Sequence, residues 1–259
     1  MITCHLKGGL GNQMFQIAAT EALAKRNNDK AGYNLITCQT RLQGNSSIHY
    51  KDTLFKKLGK IDPYTDSMQF LSSYQEPEFA YHEIPYKSGL VLNGYFQSEK
   101  YFADCADHIR DLFTFEEDTL FDVKNILGMV KAPITSVHIR RGDYLNFPNA
   151  HPTCSLDYYK EAMALFPDNV FVIISDDIKW AKDTFGATNH LYLSFKDDLF
   201  DLCAMTQCNN NIIANSSFSW WGAWLNQNPD KKVVAPSVWF GSELNHNTKD
   251  IYCKDWIII

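Results

Sequence analysis

A chain of 259 residues, 45% hydrophobic and 14% aromatic, carries enough apolar material for one large or two small packed domains, which excludes a disordered or fibrous protein. A formal net charge of −6 and a pI near 5.7 exclude the broad basic face that nucleic acid or an anionic membrane requires, so a pair of arginines in this chain reads as a local site. The seven cysteines are odd in number, scattered and free of any Cys-x-x-Cys pair, the usage of free thiols in a reducing compartment.

The chain opens Met-Ile-Thr-Cys-His-Leu-Lys-Gly-Gly and so reaches glycine too early for a signal peptide. No apolar run approaches the roughly 20 residues that span a bilayer. A cytoplasmic protein without a transmembrane segment is expected, with peripheral membrane contact left open. The sequons at Asn45 and Asn215 then have no consequence.

Residues 2–6 predict a strand, residues 8–11 a tight glycine turn, and residues 14–26 a helix with Phe15, Ala18 and Ala22 on one face. The turn is not a dinucleotide fingerprint, because Met14 stands where the third glycine belongs and no acidic residue follows a clear second strand. NAD is therefore not expected. The glycines still permit close approach of a ligand, with Asn12 at the helix start either exposing its amide or acting as a plain cap. Residues 27–83 mix Tyr, Ser, Asn and Pro without clear periodicity and read as short helices and long loops. A strand over 89–97 and helices over 98–113 and 117–129 follow. Val130-Lys-Ala-Pro133 marks the domain change, giving domains 1–130 and 131–259.

The second half alternates strictly. Strands are predicted over 134–139, 170–174, 190–193, 211–214 and 232–235. Between them lie a helix capped by Ser155, with Leu156, Tyr159, Met163 and Phe166 on one face, and helices over 177–185, 197–207 and 218–225. Such alternation implies an α/β fold with a parallel sheet and right-handed crossovers, whose strand ends face one crevice.

Three of those ends carry polar clusters. In His138-Ile-Arg-Arg-Gly-Asp-Tyr an apolar strand delivers two guanidiniums, which bind phosphate through a planar fork and suit a diphosphate; the plain alternative is arginines paired to Asp or Glu. In Ser175-Asp-Asp the Asp176 carboxylate suits the N1–H and exocyclic amine of guanine, or ribose hydroxyls, while helix capping with Ser175 at the N-cap is the competing reading. Asp176-Asp177 is not an Asp-x-Asp, and no residues stand at metal-ligand spacing, so no metal is expected. In Asn215-Ser-Ser-Phe-Ser-Trp-Trp-Gly-Ala-Trp small hydroxyl residues open a helix, a ready anion site. Trp220, Trp221 and Trp224 share a helical face and read as core. No Ser-His-Asp order, His-Glu-x-x-His or cysteine nucleophile motif occurs, and His5, His151 and His190 read as structural.

Taken in order, Gly8-Gly-Leu-Gly-Asn-Gln-Met-Phe-Gln, Gly94-Tyr-Phe-Gln-Ser-Glu-Lys-Tyr-Phe and the three clusters above make the chain similar to the bacterial α-1,2-fucosyltransferases of glycosyltransferase family 11. The matches run from residue 8 to about 240. The resemblance implies a GT-B architecture, two Rossmann-like domains facing across a cleft, with GDP-fucose held mainly by 131–259 and a galactoside acceptor reaching in from 1–130. It implies an inverting galactoside α-1,2-fucosyltransferase. By the same analogy Arg140 contacts the diphosphate, His138 and Asp176 lie near the nucleoside, Ser216, Ser217 and Phe218 lie near phosphate and base, and Asn12 lies near the donor. The chain is short for the family, with peripheral loop reduced, which bears on acceptor recognition more than on donor binding.

Chemistry runs parallel to the resemblance. Breaking the glycosidic bond builds negative charge on the leaving phosphate, where a fixed arginine acts, so Arg140 is the expected catalytic cation and GDP-fucose a co-substrate with no cofactor or metal needed. Asp143 is the nearest acidic residue to serve as general base, or else it holds an arginine in a salt bridge. A noncatalytic nucleotide- or sugar-binding module, and a transferase using another GDP-linked sugar or acceptor hydroxyl, remain as alternatives.

Overall fold

The computed structural model describes residues 1–38, 40, 44–61, 72–193 and 197–259. Part of the aperiodic stretch 27–83, namely 39, 41–43 and 62–71, therefore lies outside the described residues. The chain forms two compact units, Met1–Thr114 with His246–Cys253, and Phe115–Asn245 with Lys254–Ile259.

Unit 1 holds β1 (Thr3–Cys4), α1 (Leu10–Arg26), β2 (Ser72–Gln75), β3 (Leu90–Asn93) and α2 (Ala106–Leu112). Its strands form a parallel sheet in the order β1-β3-β2. The turn after β1 works as its glycines require: Gly8 sits at φ +78, and a Cβ there would lie 2.4 Å from Asn12 Nδ2. That turn is shorter than expected, and α1 already begins at Leu10 because Gly9 accepts the first helical N–H groups, from Asn12 and Gln13. Met14, Phe15, Ile17, Ala18 and Ala22 are fully buried along it, and Lys25 and Arg26 close its last turn, favourably placed against the dipole.

The helix expected over 98–113 is broken. Ser98 caps a 3-10 turn at Glu99–Tyr101, a second such turn runs Ala103–Cys105, and only α2 is α-helical. Phe102, at φ −143, is the break. Its ring is fully buried and meets Phe15 at 6.2 Å, and burial of an aromatic outweighs a locally helical pattern.

Unit 2 begins with α3 (Glu117–Gly128) and continues β4 (Ile134–Ile139), α4 (Leu156–Ala164), β5 (Val170–Ser175), α5 (Ile178–Phe185), β6 (His190–Leu193), α6 (Asp198–Thr206), β7 (Asn210–Ile212), α7 (Ser217–Leu225), β8 (Val233–Ala235) and β9 (Ile257–Ile258). All pairings are parallel, in the order β6-β5-β4-β7-β8-β9. Counted from β4 this is the doubly wound order 3-2-1-4-5-6. The segment His246–Cys253 belongs to unit 1, where the Asp250 carboxylate accepts the Tyr81 N–H at 3.0 Å and the Lys100 ammonium at 2.6 Å. The chain then returns to add β9, a strand absent from the sequence reading. α3, which precedes the expected junction, packs on α6 and so belongs with unit 2.

β4 is buried at all six positions, as a central strand of a sheet covered on both faces must be. Val137 and Ile139 join Ile173, Tyr159, Phe166, Ile212 and Val234 in one core. Four buried polar residues of this layer pair with one another: Asn169 donates to Thr135 Oγ1 at 2.7 Å and Asn211 to Ser136 Oγ at 2.8 Å. On α7, Trp220 and Trp221 are fully buried, Trp224 nearly so, and Gly222 lets the helix approach α6, since a Cβ would meet Met205 Cβ at 2.7 Å. Their core reading holds. Trp221→Ala is expected to cost about 3–5 kcal/mol, read from the denaturant midpoint; a loss under about 1 kcal/mol would show that the site collapses freely.

Candidate functional site

In unit 2 the chain runs from β4 outward to β5 and β6, then returns to start β7 on the other side of β4 and runs outward to β8 and β9. The carboxyl ends of β4 and β7 therefore flank the switch point, where open α/β sheets bind ligands. Register places Ile139 beside Ser175 and Val137 beside Ile212. The three polar clusters emerge on adjacent strands, β5, β4 and β7.

Beyond β4, Arg140 lies between two carboxylates. Its Nη2 is 2.7 Å from Asp143 Oδ1 and its Nη1 is 3.0 Å from Asp176 Oδ2. The other oxygen of Asp176, Oδ1, accepts the Arg141 backbone N–H at 2.9 Å. Arg141 turns the opposite way: its Nε is 3.1 Å from Asp177 Oδ2 and its guanidinium lies 3.9 Å from the centre of the Trp180 ring. Asp177 also caps α5 through the Trp180 N–H at 3.2 Å. The cap is thus Asp177, and Ser175 supports it by accepting the Asp177 N–H at 3.0 Å. Two cations against the three carboxylates of Asp143, Asp176 and Asp177 leave one negative charge in excess. The cluster is a braced arginine rather than an open cationic patch.

Gly142 is required here by proximity. A Cβ at that position would lie 2.7 Å from Asp176 Oδ2. Tyr144 completes the turn, its ring 5.5 Å from the Arg140 guanidinium and its hydroxyl donating to the Asn215 carbonyl at 2.9 Å. Burial pushes its phenol pKa up.

His138 is buried at 4% exposure, with its ring 5.6 Å from that of Phe218. Burial first and the Arg140 charge second push its pKa down to about 3, so the imidazole is neutral and is no proton store near neutrality. Its Nδ1 has no hydrogen-bond partner among the described residues. Ser216 is the N-cap of α7 without a side-chain cap bond, and Ser217 begins the helix. The first turn of such a helix has backbone N–H groups without an intrahelical acceptor. Asn215 has a structural task, donating to the Pro152 carbonyl at 2.8 Å and the Trp239 carbonyl at 3.0 Å, which ties two loops to the end of β7.

Arg140, Asp143 and Asp176 are thus in direct contact, and His138 meets Phe218. Asn12 lies in unit 1, where its Oδ1 accepts from Gln97 Nε2 at 2.7 Å. Sequence reasoning missed Trp180, and it offered arginines paired to Asp or Glu as the plain alternative without naming Asp177 as the partner of Arg141. The signal was present, an arginine matched by an acidic residue at the end of the next strand, but capping absorbed it. Among the described residues no group of three or more His, Cys, Asp or Glu is placed to hold a metal ion, and no helix is long and apolar enough to cross a membrane.

The model of a family described as glycosyl transferase family 11 matches residues 1–259. The chain is 31% identical to the O-antigen biosynthesis glycosyltransferase WbnK of Escherichia coli, over 99% of each chain. It is 29% identical to an alpha-1,2-colitosyltransferase of Escherichia coli, over 100% of this chain and 99% of the relative. To galactoside alpha-(1,2)-fucosyltransferase 1 of Bos taurus it is 27% identical over 86% of this chain and 66% of the relative. In structure it is similar to fucosyltransferase NodZ from Bradyrhizobium, with a TM-score of 0.53 at 11% identity, covering 85% of this chain and 91% of the other. That likeness shows the fold, α/β with parallel sheets and of GT-B type.

Proposed function

Because the chain belongs to glycosyltransferase family 11 and is a glycosyltransferase, we propose that it moves L-fucose from GDP-β-L-fucose to the 2-hydroxyl of a terminal galactose, with inversion, forming an α-1,2 linkage. The observation that carries the reading is Arg140, held by Asp143 and Asp176 at the strand end beside the switch point. A guanidinium has five N–H donors, so these two contacts leave others for phosphate oxygens. The names of the bovine and colitosyl relatives support the α-1,2 linkage.

In the proposed reaction the galactose 2-hydroxyl attacks the anomeric carbon as the bond to the β-phosphate breaks, and the hydroxyl proton passes to the departing GDP phosphate or to water. Charge grows on the leaving oxygen, and a cation already fixed by two carboxylates meets it without reorganising. The first turn of α7, opened by Ser216 and Ser217, supplies further N–H groups to the diphosphate. His138 and Phe218 form the wall of the nucleotide pocket. Asp143 Oδ1 is engaged with Arg140, so we assign Asp143 to holding the cation; the good leaving group reduces the demand for a strong base.

Incubation with GDP-fucose and a panel of β-galactosides, followed by linkage analysis, tests the proposal. An α-1,2-fucosylated galactoside is expected. Transfer to another hydroxyl would overturn the linkage, and GDP binding without turnover would make the protein a binding module. The colitosyl relative, matched over the whole chain, favours a second reading in which the donor carries a different GDP-linked deoxysugar. Competition between GDP-fucose and GDP-colitose separates the two.

The paired guanidinium also makes a metal expectation concrete. With Arg140 as the fixed counter-charge, activity is expected to persist after exhaustive chelation. Loss of turnover that returns only on adding Mg²⁺ or Mn²⁺ would overturn it.

A further inference from the structure

The carboxyl end of the unit 1 sheet contains a carboxylate that none of the roles above uses. Glu76 follows β2 directly and turns its side chain under the loop that leaves β3. Its Oε2 accepts the Tyr95 N–H at 2.6 Å and its Oε1 the Phe96 N–H at 2.9 Å, while its own N–H donates to the Asn93 carbonyl at 2.9 Å. Gly94 accommodates it, since a Cβ there would lie 2.4 Å from Glu76 Cβ. The loop needs such a clamp: Phe96 has φ +53, a left-handed conformation unfavourable for a bulky side chain. One residue further on, Gln97 donates to Asn12 Oδ1 at 2.7 Å. Asn12 in turn lies against Gly8.

We propose that Glu76 is a positioning residue of the transfer reaction, its carboxylate clamping the Tyr95–Phe96 turn and, through Gln97, fixing the side-chain amide of Asn12. The role rests on the glycosyltransferase reading and on the family resemblance that implies Asn12 lies near the donor. Two backbone N–H groups donating to one carboxylate are charge-assisted bonds, and protonation of that carboxylate weakens both. Burial pushes the Glu76 carboxyl up to about 7, against the opposing pull of the Tyr95 and Phe96 N–H groups and of the Lys7 and His82 charges. The other titratable neighbours are the Tyr74 and Tyr101 phenols, whose own pKa values burial raises. The clamp is therefore set as carboxylate above neutrality and slackens as pH falls through about 7, taking the Asn12 amide with it.

The test follows the Asn12 and Gln97 side-chain amide ¹⁵N signals against pH, which needs no substrate. Both are expected to titrate with the Glu76 carboxyl in the unaltered protein and to be flat over that range in Glu76→Gln. With GDP-fucose and a galactoside acceptor, kcat/KM of the unaltered enzyme should fall on the acid side with the same midpoint. Glu76→Gln should lose about 10- to 100-fold at pH 8, the scale of hydrogen bonds to a charged acceptor, and should have no acid limb. Glu76→Asp, which keeps a carboxylate on a shorter arm, should keep a displaced limb. In an Asn12→Ala background the Glu76→Gln loss should largely vanish. Asn12 signals that ignore the Glu76 titration, or a Glu76→Gln enzyme with the original acid limb, would overturn the relay. Absence of any transfer by the unaltered enzyme would instead refute the fucosyltransferase reading and leave the amide titration to decide the relay.

Discussion

Arg140→Lys is expected to lower kcat by about 10²–10³-fold, the scale for removing one preorganised group from a developing oxyanion. The substitution keeps a positive charge but replaces a planar fork with a point charge on a flexible stem. Arg140 meets Asp143 and Asp176 with two different nitrogens at 2.7 and 3.0 Å. A lysine ammonium cannot span both carboxylates and still present a donor to phosphate in a fixed direction. Fold survival is expected because β4 is anchored by its buried apolar residues and the charge balance of the cluster is unchanged. Circular dichroism and the denaturant midpoint check the fold, and initial rates with saturating donor check the chemistry. A correctly folded lysine variant with near-original turnover would move the catalytic cation elsewhere.

The strand ends that build this cluster were legible because burial on both faces writes itself into sequence as continuous apolar runs. Residues 134–139 and 170–174 read as strands for that reason, and strict alternation with helices brought Arg140, Asp176 and Ser216 to one edge. What alternation cannot encode is which way a side chain turns at the edge. Asp176 read as a carboxylate for a guanine edge or ribose hydroxyls, or as part of a helix cap, and it contacts Arg140 and the Arg141 N–H in space that the absent Cβ of Gly142 leaves. The broken helix at 98–113 failed for a similar reason, since the local pattern was helical and only the long-range contact of Phe102 with Phe15 breaks it. Glu76 was out of reach because it lies in an aperiodic segment and its partners are backbone N–H groups, which carry no residue signature. β9 escaped because two residues are too few to show a period.

Asp176→Ala is expected to lower turnover nearly as far as Arg140→Lys, while weakening GDP and IDP by similar factors. Both carboxylate oxygens are already engaged, Oδ2 by Arg140 and Oδ1 by the Arg141 N–H. Removing the side chain frees one side of the guanidinium and hands the exposed Arg141 N–H to water, so the loss falls on the bracing of Arg140. Both consequences fall on the phosphate side of the nucleotide, which GDP and IDP share. Calorimetry with the two nucleotides therefore separates the roles: a carboxylate that reads the guanine 2-amino group would cost GDP much more than IDP. Gly142→Ala provides the companion measurement, since its new methyl would press on Asp176 Oδ2 from 2.7 Å and displace the carboxylate without deleting it. If Asp176 works by bracing Arg140, the alanine at 142 should reproduce the turnover defect of Asp176→Ala and leave the GDP-to-IDP ratio alone. A variant that loses GDP selectively would instead place the guanine edge against Asp176 and require the Arg140 contact to open when nucleotide binds.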